Sequence, residues 1–162
     1  MGIWNRVRSL FGASSKRNGD REPLDMIGTL IDDYHHLRRL ARQINAHAES
    51  APYPYITERL KQIALEKDEE AGVLKERIIK LGGQPKEVEL DLHSGKNHWA
   101  RMVKDIEDEK ELEDRFLDDA LRLGSEAPEI SDLLRQLVAG KAFHREALQD
   151  LVIKADPQAF QS

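Results

Sequence analysis

Cysteine is missing from this chain altogether, and aromatic side chains make up only 6% of its 162 residues. Without thiols, disulfides, thiolate metal sites and cysteine nucleophiles are excluded. The low aromatic content and a charged fraction of 34% suit long amphipathic helices better than a sandwich or a barrel. No apolar run approaches the roughly 20 residues of a membrane span. The first residues also lack the continuous apolar core of a secretory signal, so the expected location is the cytoplasm, with the option of lying against a membrane. A net charge of −5 gives no general attraction to nucleic acid.

What is present is helical periodicity. Residues 1–11, MGIWNRVRSLF, put Trp4, Val7, Leu10 and Phe11 on one face, with Arg6 and Arg8 off it. Residues 12–22 read as a flexible Gly/Ser/Lys/Arg linker. Residues 1–21 carry five basic side chains against one acid, Asp20. A short basic amphipathic helix on a tether is expected to dock on a protein partner, a compartment wall or an anionic membrane surface. A single domain is expected over 23–156, followed by a disordered tail at 157–162.

Within that domain four stripes follow one another. Leu24, Ile27, Leu30, Ile31, Tyr34, Leu37, Ala41 and Ile44 mark the first helix, begun by Pro23. Ile56, Leu60, Ile63, Leu74, Ile78 and Leu81 mark the second, stopped by Gly82-Gly83 and Pro85. Trp99, Met102, Ile106, Phe116, Ala120 and Leu123 mark the third, and Ile130, Leu134, Leu137, Leu148 and Leu151 the fourth. Between the second and third, Val88, Leu90 and Leu92 alternate with Glu87, Glu89, Asp91 and His93. The thirteen residues 84–96, if extended, reach about 43–47 Å, the length of a helix of about 30 residues. This segment is therefore predicted to run the length of a bundle with its apolar side inward. Short turn, long crossover and short turn give two helical hairpins joined end to end.

Each stripe is interrupted near its middle. Lys67 and Glu70 stand inward in the second helix, Glu109 and Glu113 in the third, and Lys141 and His144 in the fourth. Tyr34, flanked by Asp33 and His35, stands inward in the first. The second and fourth interruptions match one another. Leu60-Lys61-Gln62-Ile63, Lys67, Glu70 and Leu74 coincide with Leu134-Arg135-Gln136-Leu137, Lys141, His144 and Leu148 on a shift of 74 residues. Buried polar groups at such positions are costly unless they pair, so a shared internal cluster is predicted.

The stretch Glu66–Pro85, the run Asp105-Ile106-Glu107-Asp108-Glu109, and His144 with Leu148 resemble the ferritin-like superfamily, the bacterioferritin and rubrerythrin type of bundle, over about residues 23–155. The resemblance implies an all-α ferritin-like four-helix bundle with self-association, for which a homodimer is expected. It also implies a di-iron site built from one Glu on each of two helices and a Glu-x-x-His pair on each of the others. Laid onto this chain, those positions fall on Tyr34 (or Asp33 or His35), on Lys67 and Glu70, on Glu109, and on Lys141 and His144. Both glutamates of the paired motifs are thus lysines, and one histidine is a glutamate. An ammonium has no lone pair to donate and repels a cation. The expectation is a degenerate site, a core ion network of Lys67, Lys141 and Tyr34 with the acidic groups, in a protein that is not a standard ferroxidase. The alternative is an iron- or other metal-handling protein with a remodelled site at Glu70, Glu109, Glu113, His144 and Asp33. A third reading is a metal-free enzyme using a desolvated lysine as nucleophile or base.

Overall fold

The computed structural model describes residues 22–154, apart from the side chains of 22–25, 141 and 142. Four helices follow in order: α1 (Glu22–Glu49), α2 (Pro54–Lys80), α3 (His98–Leu123) and α4 (Pro128–Lys154). Proline opens α2 and α4, where a missing amide hydrogen leaves no bond unmade. Asn97 caps α3, its side-chain oxygen accepting the Ala100 amide at 2.8 Å. The end of α2 is a Schellman turn. Gly82 takes φ 91°, its amide reaches the Ile79 carbonyl at 3.0 Å, and the Gly83 amide reaches Ile78 at 2.9 Å. A Cβ on Gly83 would lie 2.7 Å from Ile27 Cγ2, so a glycine there also lets the turn press against α1.

α1 and α2 form one antiparallel hairpin and α3 and α4 the other; α1 packs against α3, and α2 against α4. The core is the sum of the four stripes. Leu30, Leu37, Ile44, Leu60, Ile63, Leu74, Phe116 and Leu148 are all wholly buried. Each such Leu or Ile contributes roughly 1.5–3 kcal/mol over its exposed state.

Two expectations about packing are corrected here. Trp99 is 39% exposed, not inward. The crossover does run extended from α2 to α3, but Val88 and Leu92 face outward, at 42% and 37% exposed. Polar contacts fix it to the bundle. His35 Nε2 donates to the Lys86 carbonyl at 2.9 Å, the Tyr34 hydroxyl donates to Glu87 at 3.0 Å, and the His93 amide donates to Gln43 Oε1 at 2.8 Å. A segment with no strand beside it must satisfy its backbone somewhere, and here the helices it crosses supply part of that.

Candidate functional site

Lys67 stands where the α2 stripe Ile56–Leu60–Ile63–Leu74 should have an apolar residue, and it is fully buried. Its ammonium forms an ion pair with Glu109 of α3, itself fully buried, and lies 3.2 Å from Nδ1 of His144 on α4. His144 Nε2 is in turn 2.7 Å from Glu66 Oε2, and Glu70 Oε1 is 4.0 Å from its Nδ1. The chemistry settles the tautomer. An ammonium can only donate, so Nδ1 accepts from Lys67 and the ring hydrogen sits on Nε2, which donates to Glu66. Burial, and after it the Lys67 ammonium, hold the His144 pKa below the usual imidazole range, although Glu66, Glu70 and Glu109 oppose this. His144 is therefore a neutral ring at pH 7. The Gln62 amide and His144 keep the Glu66 carboxyl below its ordinary value.

Lys67 thus places a positive charge between a carboxylate oxygen and an imidazole lone pair, the two donors that a divalent cation takes from such a bundle. The pair is neutral overall, and Glu109 Oε1 has no hydrogen-bond partner among the described residues. This donor set does not fit a metal pair while the ammonium holds it. Among the described residues no group of three or more His, Asp or Glu is arranged to hold a metal ion.

The other residues singled out in the sequence go to separate partners. Glu113 of α3 meets Arg145 of α4 at 3.1 Å. Asp33 of α1 accepts from Arg115 Nε of α3 at 2.8 Å. Burial, then the neighbouring Asp119 carboxylate, push the Asp33 carboxyl up to about 8 against the pull of Arg115. Tyr34 is buried, but its hydroxyl turns to Glu87 of the crossover. Lys67, Glu109, His144 and Glu70 are brought together; Asp33, Tyr34 and Glu113 face other neighbours. The Lys141 side chain and residues 1–21, with Trp4, Arg6, Val7, Arg8, Leu10 and Phe11, lie outside the described residues, as does the tail at 157–162.

A second buried network joins α1, α3 and the crossover. Gln43 Nε2 donates to Asp105 Oδ1 and to Asp108 Oδ2, both at 2.8 Å. His47 Nδ1 donates to Asp105 at 2.7 Å, and His93 Nδ1 to Asp108 at 2.7 Å. Burial works upward on both carboxyls. It prevails at Asp105, whereas at Asp108 the bonds from Gln43, His93 and Lys104 together bring the pKa below its ordinary value. The signal for this network was the spacing Met102–Asp105–Glu109–Leu112, which puts Asp105 on the inward face; the surrounding acidic run masks it as a solvated surface.

No protein-family model and no curated protein matches the sequence. Solved structures do resemble it in fold. A mycobacterial bacterioferritin superposes with a TM-score of 0.75 at 19% identity, over 84% of this chain and 89% of that one. A dodecameric thioferritin, the bacterioferritin-related protein from Bacteroides fragilis, superposes with a TM-score of 0.73 at 16% identity, over 86% and 90%. The chain has the ferritin-like fold.

Proposed function

We propose that this chain is a ferritin-like protein whose di-iron centre has been replaced by an internal Lys–Glu–His ion network. It would act as a non-catalytic scaffold or stress-related binding module that docks through residues 1–11 and self-associates, with a dimer as the working unit. The observation that carries this reading is the Lys67 ammonium, held by Glu109 and by Nδ1 of a neutral His144. Two divalent ions would need their charge answered by carboxylates; here Lys67 supplies its own cation and uses up Glu109. The cost of burying that lysine is offset in part by those two partners, so the network is structural and would resist displacement. Self-association draws support from the dodecameric state of the Bacteroides fragilis protein.

The test is metal content by elemental analysis after exposure to ferrous, manganous and zinc ions and removal of free ion. The expected result is a folded protein without retained metal, and a Lys67→Glu/Lys141→Glu double variant that gains it. Two metals per chain with oxidase activity in the unaltered protein would overturn the reading. One metal per chain would transfer support to a remodelled site at Glu70, Glu109 and His144.

A further inference from the structure

α2 and α4 approach one another least closely of the neighbouring helices, and an open groove of about 540 Å³ runs between them. Its α2 wall carries Arg59, Glu66, Glu69 and Glu70, with Val73 below them. Across it stands Phe143 of α4, an aromatic ring 73% exposed, and Val73 is 48% exposed. Gly140 keeps the groove deep, since a Cβ there would come 3.1 Å from Glu70 Oε1. Apolar contact flanked by three carboxylates against one guanidinium, Arg59, leaves a net acidic rim and fits an amphipathic helix with basic edges, whose guanidinium groups could also lie over the Phe143 ring.

The chain carries such a segment. Residues 1–11 combine Trp4, Val7, Leu10 and Phe11 with Arg6 and Arg8, on a tether of ten residues, 12–21, that leads to Glu22. The start of α1 lies at the same end of the bundle as the close of α2, where Ile27 packs on Gly83. From Glu22, five residues before Ile27, the groove at Val73 is a diagonal step of roughly 14 Å, given helix spacings of 8–10 Å, and a climb of roughly 22 Å, about 26 Å in all. Ten extended residues reach about 33–36 Å, which is sufficient. We infer that residues 1–11 seat in the α2–α4 groove of their own chain, over the Glu66 end of the His144–Lys67 network. This keeps residues 1–11 as a docking element but makes their own bundle the partner, in place of a separate protein, a compartment wall or a membrane, and it is independent of the reading of the ion network.

A chain without cysteine offers a clean trap. In the full-length protein, Val7→Cys with Val73→Cys is oxidised under mild conditions and compared with Val7→Cys with Leu117→Cys, position 117 being on the exposed face of α3 outside the groove. The expected result is an intramolecular disulfide in the groove pair at a rate roughly tenfold or more above the other, because seating raises the effective concentration. Adding Glu69→Lys and Phe143→Asp, both at exposed positions, should bring the rate down to that of the comparison pair. Equal rates in the two pairs would overturn the seat. Predominant disulfide-linked dimers would overturn it in favour of a second copy as occupant. Equal rates together with a blue shift of Trp4 emission on anionic vesicles, read in a Trp99→Phe background, would overturn the groove while leaving residues 1–11 a docking element. Equal rates with no such shift on vesicles or on self-association would remove both readings.

Discussion

Lys67 and Glu109 are both fully buried, and the energetics of such a pair are asymmetric. Removing one partner leaves the other charge in a dry interior, whereas removing both leaves a packing problem and a His144 Nδ1 without its donor. Lys67→Met is therefore expected to destabilise the bundle by about 3–5 kcal/mol in urea unfolding. Lys67→Met with Glu109→Leu should recover most of that loss, because two apolar side chains of similar volume take the place of the pair. A single variant within about 0.5 kcal/mol of the parent would show that the ammonium reaches water. The break in the α2 stripe at Lys67 was legible in the sequence because helical spacing fixes which residues face inward. The grouping of all four interruptions into one cluster was not. An inward stripe spans a third of a helix's circumference or so, wide enough to serve two neighbours, and the sequence does not say which. Asp33 turns to Arg115 and Tyr34 to Glu87, both on α1, whereas the Lys67–Glu109–His144 contact is made by α2, α3 and α4. Glu113, one turn from Glu109 on the same face of α3, meets Arg145.

The crossover teaches the complementary lesson. Its length and its place between two hairpins could be read from the sequence, because an extended chain must match a helix end to end. Its facing could not, because alternation signals an apolar side only where a layer exists to receive it, and Val88 and Leu92 find none. The segment is instead held where polar side chains of α1 and α3 meet it, and the firmest of these points is Gln43. That amide receives the His93 backbone N–H and donates to both Asp105 and Asp108. Gln43→Leu removes all three bonds and leaves two buried carboxylates short of a donor, with an expected loss of about 2–4 kcal/mol, given 1–3 kcal/mol for each unsatisfied group. His93→Ala removes one bond from a half-exposed ring and should cost less than half as much. Amide hydrogen exchange separates the two. The amide at position 93 should exchange much faster in Gln43→Leu and close to normally in His93→Ala, where its bond to Gln43 survives. Fast exchange in both would place the anchor at the ring and not at the amide.

Among the described residues the molecule buries ionisable groups at several places, among them Lys67 with Glu109 and His144, Asp105 with Asp108 and His47, and Asp33 beside Asp119. Asp33 and Asp105 have raised pKa values and His144 and Asp108 lowered ones, so the fold should have a preferred pH. Asp33 is raised to about 8 by burial and by Asp119, against Arg115, while Arg122 bonds Asp119 at 3.2 Å and Thr29 at 2.6 Å beside it. A carboxyl with a raised folded pKa binds its proton more tightly in the folded than in the unfolded chain. Its contribution is complete below the unfolded value, near 3.8, and is lost as pH rises through about 8. His144 acts the other way. Its folded pKa is depressed, so its contribution is complete above the ordinary imidazole value, near 6.5, and is lost as pH falls below it. Between pH 6.5 and 8, then, the Asp33 proton governs, and stability should fall with rising pH by at most about 1.4 kcal/mol per unit. Asp33→Asn keeps the shape and removes the titration. Its melting temperature should be flat across that window and above the parent's throughout it, by more at pH 8 than at pH 6.5, the two converging only near the unfolded value of 3.8. A parent protein whose melting temperature rises from pH 6.5 to 8, or an Asp33→Asn variant with the parent's slope, would show that Asp33 is ionised in the fold and paired with Arg115 as an ordinary salt bridge.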